Sequence, residues 1–99
     1  TKKKLGTLIV RNKKKYTTGI ITDGQIRRFN SKNINLNSLK VKDVMTKNPI
    51  KIDKDTLATK ALAIMNEKKI TSLCIYEKKN RFITIGILHI HNILNKEIY

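Results

Sequence analysis

The sequence predicts an α+β fold built from two small units, each a short sheet covered on one face by helices. Three observations lead there. The chain repeats itself: Gly19-Ile20-Ile21-Thr22-Asp23-Gly24-Gln25-Ile26 is echoed by Gly86-Ile87-Leu88-His89-Ile90-His91-Asn92-Ile93, and Leu8-Ile9-Val10-Arg11-Asn12-Lys13-Lys14 by Leu73-Cys74-Ile75-Tyr76-Glu77-Lys78-Lys79. In both copies an apolar run, a polar turn and a second apolar run succeed one another, which is the pattern of a hairpin. Each hairpin then meets a polar residue suited to opening a helix, and helix and strand alternate too closely for a doubly wound nucleotide fold. The step from Leu8 to Leu73 is 65 residues and that from Gly19 to Gly86 is 67, so the second copy has the longer turn, by two residues.

Residues 5–10 form the first expected strand, rich in branched apolar side chains and closed by the polar turn at 11–15. Residues 16–22 form its partner. Asp23 and Gly24 open a short helix on which Ile26 and Phe29 share a face. Residues 30–39 are rich in Asn and Ser without a sustained period, which marks a linker. Pro49 forces extended backbone before Ile50 and Ile52, giving a short strand. Asp55 or Thr56 is placed to cap a helix running to about Lys68, with Leu57, Ala58, Ala61, Leu62, Ile64 and Met65 as a wide apolar stripe. Residues 73–76 and 82–88 form the second hairpin around a turn at 77–81. A last short helix starts near residues 89–92 and carries Ile93 and Leu94. The domain division is 1–30 for the end of a first unit, 31–40 for a linker and 41–99 for a second unit. The first unit lacks the portion that residues 49–69 supply to the second, and no initiator methionine is present, so a piece from the C-terminal part of a longer protein is expected.

Composition narrows the chemistry. The net charge is +15, from 22 Lys and Arg against 7 Asp and Glu, which ordinarily raises nucleic-acid binding. Lysine, asparagine and isoleucine are over-used together, however, and all three have A/T-rich codons, so base composition accounts for the excess. The lysine clusters at 2–4, 13–15 and 78–79 fall in turns or at a terminus, with no interleaved aromatic platforms, and no specific nucleic-acid binding is expected. A positive field still draws an anionic metabolite to its site. No run approaches the roughly 18–20 apolar residues of a membrane span, and no signal-peptide core follows the basic N-terminus, so a cytoplasmic location is expected.

Catalytic and metal chemistry is not expected. The one cysteine, Cys74, sits within an apolar strand and reads as a buried small hydrophobe. His89 and His91 alone make a weak metal pair. Paired carboxylates, a Ser-His-Asp set and a phosphate loop are all missing from the sequence. What remains is the glycine, strand and helix-start arrangement of each repeat, which can hold the phosphate or sugar of a small anion.

The order Val41-x-Asp43-Val44-Met45-Thr46, Pro49, Ala61-Leu62, Ile70-Thr71-x-Leu73 and Gly86-Ile87 resembles a CBS domain, named after cystathionine beta-synthase. Residues 19–28 resemble the second half of a preceding one. The resemblance implies a tandem CBS pair whose first unit is truncated at its N-terminus. The Gly-Ile-Ile-Thr-Asp-Gly phrase, Arg27-Arg28, the Asn-rich linker and residues 86–94 together resemble the C-terminal region of arabinose 5-phosphate isomerases. In that family a CBS pair follows a sugar-isomerase domain that interconverts D-ribulose 5-phosphate and D-arabinose 5-phosphate for the octulosonate of lipopolysaccharide.

In CBS pairs a Ser or Thr after the second hairpin strand and an Asp three residues later commonly hold the phosphate and ribose of an adenine nucleotide. Thr22 matches the first position and Gln25 stands at the second; in the other repeat His89 and Asn92 stand there. A carboxylate accepts two ribose hydroxyl bonds, whereas an amide has one accepting oxygen and a donating NH2. The resemblance therefore implies a ligand of greater negative charge, such as the CMP-activated octulosonate, near Thr22, Asp23, Gln25, Arg27, His89, His91 and Asn92. Thr22 or Asp23 could equally cap a helix, and the two histidines could do the same or bridge the units. The expected role is regulatory: a self-associating module without a cofactor of its own, joined to an isomerase domain, in which a small anionic metabolite biases one arrangement. The alternatives are the CBS pair of another enzyme, such as inosine monophosphate dehydrogenase, a free-standing adenine-nucleotide sensor, and a dimerisation scaffold.

Overall fold

In the computed structural model, which describes residues 6–97, the chain divides into two compact units, residues 1–49 and 50–99. Leu5, where the first strand was expected to begin, and the lysines at 2–4 lie outside the described residues.

The first unit begins with a hairpin, β1 (Thr7–Arg11) and β2 (Thr17–Thr22), paired antiparallel with Leu8 opposite Ile21. Its turn is shaped by Asn12, whose side-chain oxygen accepts from the backbone N–H groups of Lys14 and Tyr16 at 2.9 and 3.0 Å. This local bonding is why Asn favours turns. Helix α1 (Asp23–Ser31) follows directly on β2. The expected linker contains a 3-10 turn, Leu36–Ser38, initiated by the Asn35 side chain accepting from Asn37 N–H at 3.0 Å. The four-residue helix α2 (Val41–Val44) comes next, with Asp43 accepting from the Lys40 N–H at 2.9 Å. The two-residue strand β3 (Thr46–Lys47) then pairs antiparallel with β2. The first sheet thus has the order β1-β2-β3. Residues 41–49 belong to the second repeat by sequence and to the first compact unit by contact.

The second unit has the sheet order β4-β5-β6, formed by β4 (Lys51–Asp53), β5 (Ser72–Tyr76) and β6 (Gly86–His89). Strand β4 is parallel to β5 and is joined to it through α3 (Ala58–Lys68); β5 and β6 are antiparallel. Helix α4 (Ile90–Glu97) closes the unit. Ile52, Ala61, Met65, Leu73 and Ile93 form one buried cluster, which joins the sheet to both helices.

Three expectations need correction. The N-cap of α3 is Leu57, with no side-chain cap bond, rather than Asp55 or Thr56. Asp53 takes over this turn, its Oδ1 accepting from Asp55 N–H at 2.7 Å and its carbonyl from Thr56 N–H at 3.0 Å, so the helix starts later. The apolar stripe is accordingly narrower, with Leu57 75% exposed. The last strand covers residues 86–89 instead of 82–88. Asn80 organises the longer turn, its side chain accepting from Phe82 N–H at 3.0 Å, and Phe82 and Ile85 are left exposed.

The two hairpins superimpose in register with the repeat. Leu8 faces Ile21 as Leu73 faces Leu88, and Thr7 faces Thr22 as Ser72 faces His89. Even the first helical amide behaves alike: Asp23 N–H donates to the Gly6 carbonyl and Ile90 N–H to the Thr71 carbonyl, both at 2.8 Å.

Candidate functional site

The sequence places its candidate ligand residues at two equivalent corners, where a hairpin turns into a helix. In the first, Thr22 is the N-cap of α1 and forms a reciprocal capping box with Gln25. Thr22 Oγ1 accepts from Gln25 N–H at 3.3 Å, and Gln25 Oε1 accepts from Thr22 N–H at 2.9 Å. This satisfies helix-end donors that would otherwise need water. The Gln25 NH2 donates to the Val44 carbonyl at 3.4 Å and to Thr46 Oγ1. Asp23 pairs with Arg27 one turn on, Oδ2 to Nη1 at 3.3 Å, with both side chains largely exposed. An exposed pair of this spacing contributes only about 0.3–0.5 kcal/mol.

The second corner repeats the scheme with different chemistry. Asn92 Oδ1 accepts from His89 N–H at 2.9 Å, the counterpart of the Gln25 to Thr22 bond. His89 Nδ1 accepts from His91 N–H at 3.2 Å, so the imidazole acts as the cap. The rings of His89 and His91 stack with centroids 4.8 Å apart. No cluster of three or more metal-ligating side chains occurs among the described residues.

The capping alternative is therefore realised at Thr22 and His89, with Gln25 and Asn92 as the reciprocal partners that the sequence reading did not assign to it. Each corner presents a helix N-terminus, and the Gln25 amide has both its ends engaged. Residues 44–46 are the participants that sequence reasoning missed. The only signal was Gly19: a Cβ there would lie 2.7 Å from Met45 Sδ and 2.8 Å from the Thr46 carbonyl oxygen, so this position must lack a side chain for β3 to approach. On α1, Gln25, Arg28 and Phe29 join Lys32 and Ile34 to line a cleft of about 150 Å³. That is smaller than the roughly 300–1,000 Å³ of ordinary ligand pockets.

Residues 41–98 match the CBS domain family model. This chain belongs to the CBS domain family. As a CBS pair it is similar over its length to solved structures of such pairs. One is the CBS domain pair of protein MJ0100 in complex with 5′-methylthioadenosine and S-adenosyl-L-methionine, at a TM-score of 0.79 and 18% identity, covering 93% of this chain and 69% of that one. Among curated proteins, it is 40% identical over 94 residues to the uncharacterized protein RP505 of Rickettsia prowazekii and 34% identical over 94 residues to arabinose 5-phosphate isomerase KdsD of Yersinia pestis. Each match covers 95% of this chain and 28% of the relative, so the CBS pair spans about a quarter of their length. Among the described residues, no helix is long and apolar enough to cross a membrane.

Cys74 lies in the core of this CBS pair, fully buried, with the Thr84 hydroxyl as its hydrogen-bond partner. Burial pushes its thiol above the ordinary value of 9.0, against smaller opposing effects of Thr84 and Lys51. The bond-forming thiolate is thus disfavoured, as a structural role requires. Below 9.0 both the folded and unfolded chains keep this proton; above it the unfolded chain releases it first, so stability is lost as pH rises toward the folded value. Denaturant unfolding at about pH 8 and about pH 10 should show a larger loss for the native chain than for Cys74→Ala.

Proposed function

We propose that this CBS pair is the regulatory module of a sugar-phosphate isomerase that interconverts D-ribulose 5-phosphate and D-arabinose 5-phosphate, and that it binds an anionic nucleotide or nucleotide-sugar. The observation that carries the reading is the 34% identity to KdsD along 94 of the 99 residues, within a CBS-pair fold. An isomerase moves a proton between neighbouring carbons and needs a base to do so. In this reading that base lies in a separate domain of the parent chain, and the CBS pair acts on it by linkage: a ligand favours one arrangement of the pair, and that preference biases the attached domain.

The ligand chemistry follows from the corners. The family's ribose-gripping carboxylate is replaced by Gln25 in one repeat and Asn92 in the other, while His89, His91 and a net charge of +15 favour an anion. The contacts proposed are Thr22, Asp23, Gln25, Arg27, His89, His91 and Asn92, with the CMP-activated octulosonate as a feedback signal. The adenosine compounds bound by the MJ0100 pair support a second reading, an adenine-nucleotide sensor.

Thermal unfolding of the full-length protein separates them. AMP, ATP, CMP, the CMP-activated octulosonate and arabinose 5-phosphate are added in turn. A ligand at a hundredfold excess over its Kd stabilises by about 2.7 kcal/mol. Selective stabilisation by the cytidine compounds is the expected result. Stabilisation by AMP or ATP alone would replace it with the sensor reading, and no shift with any of the five would leave a dimerisation scaffold.

A further inference from the structure

The Gln25 side chain sits between the first corner and the stretch of chain that leads into the second compact unit. Its oxygen serves the helix cap, and its NH2 reaches Val44 and Thr46, 19 and 21 residues away. Val44 and Pro49 are buried at the two ends of that stretch and Met45 packs on Gly19; between them, what else holds residues 46–48 is slight. Strand β3 is two residues long, pairing only Gly19 with Lys47 and Ile20 with Thr46, and beyond it Asn48 N–H reaches the Thr18 carbonyl at 3.4 Å. Thr46, Lys47 and Asn48 are all exposed, and Asn48 has a left-handed φ of 51°. A segment with few buried contacts and short pairing opens locally at low cost.

We propose that Gln25 is a latch that holds residues 44–46 against the first sheet, in the stretch that precedes the second compact unit. The repeat itself argues for a dedicated function. Asn92, at the equivalent position, makes the same cap bond to His89 with a side chain one methylene shorter, and Gly86, the counterpart of Gly19, has nothing within 4 Å of where a Cβ would stand. The added reach of glutamine and the space left by Gly19 thus coincide in the repeat whose second hairpin strand, among the described residues, has a further strand beside it. A ligand arriving at the Thr22 corner has two options: to leave the amide in place, or to take it and free the segment. The second option gives the proposed regulatory reading a physical two-state element, but the latch stands on the geometry of the unliganded chain.

Hydrogen exchange on the full-length protein without ligand tests it. Thr46→Val should speed exchange across residues 45–48 by roughly fivefold, the weight of one net hydrogen bond, and Gln25→Ala, which also loses the bond to Val44, by at least as much. The double variant should add little to Gln25→Ala, because that variant already lacks the bond that Thr46→Val removes. Thr46→Val, which leaves the cap intact, should not alter exchange at residues 22–25. Unchanged exchange at 45–48 in Thr46→Val, or a uniform increase throughout the first unit in Gln25→Ala, would overturn the latch. These outcomes are independent of the ligand panel, so failure of the latch and failure of the regulatory reading are told apart.

Discussion

Leu73→Ala should destabilise a chain of this sequence by about 2–5 kcal/mol, whereas Leu8→Ala, at the same place in the other repeat, should cost no more than about 0.5 kcal/mol. Leu73 is 0% exposed, at the centre of the cluster that ties β5 to α3 and α4, with β4 on its flank. Removing its side chain forfeits the transfer free energy of three carbons and leaves a cavity that packed neighbours fill only in part. Leu8 is 65% exposed, on a strand with a single neighbouring strand in its sheet. Denaturant titrations of the two variants at one pH check the contrast through their midpoints at constant slope. An equal loss at Leu8 would mean that its side chain is covered in solution.

Gly19→Ala and Gly86→Ala should move stability in opposite directions although the two glycines are repeat equivalents. Neither has a positive φ, so alanine fits the backbone at both. At Gly86 the new methyl meets open space, and relief of the unfolded-state entropy of glycine should stabilise by up to about 1 kcal/mol. At Gly19 the same methyl would stand 2.8 Å from a backbone carbonyl oxygen that cannot swing aside as a side chain could. The result is overpacking, with a cost of about 1–3 kcal/mol, relieved only by moving β3 away. Thermal midpoints give the sign, and proton exchange at residues 45–48 shows whether the strand has detached. A stabilising Gly19→Ala would show that residues 45–46 do not pack on β2.

The corners illustrate how far a sequence carries. The match of Gly19-to-Gln25 with Gly86-to-Asn92 predicts two hairpin-to-helix turns, with capping an alternative role for Thr22 or Asp23 and for the two histidines, because short polar side chains at a helix start satisfy its free N–H groups by local bonds. The structure has both turns, with the same cap bond from Gln25 and from Asn92. The roles differed where partners are distant in sequence. Nothing near Gln25 announces Val44 and Thr46.

The amino-acid sequence by itself determined the repeat, the two hairpins, the helix starts that follow them and the CBS resemblance, since all of these depend on side-chain alternation and bonds between residues a few positions apart. Tertiary structure alone decided that Leu73 is buried where Leu8 is not, that β3 docks beside Gly19, and that Gln25 spends its NH2 on residues 44 and 46. The physical reason is that equivalent sequences inherit equivalent local geometry, while burial and long-range bonding depend on which other segments arrive beside them.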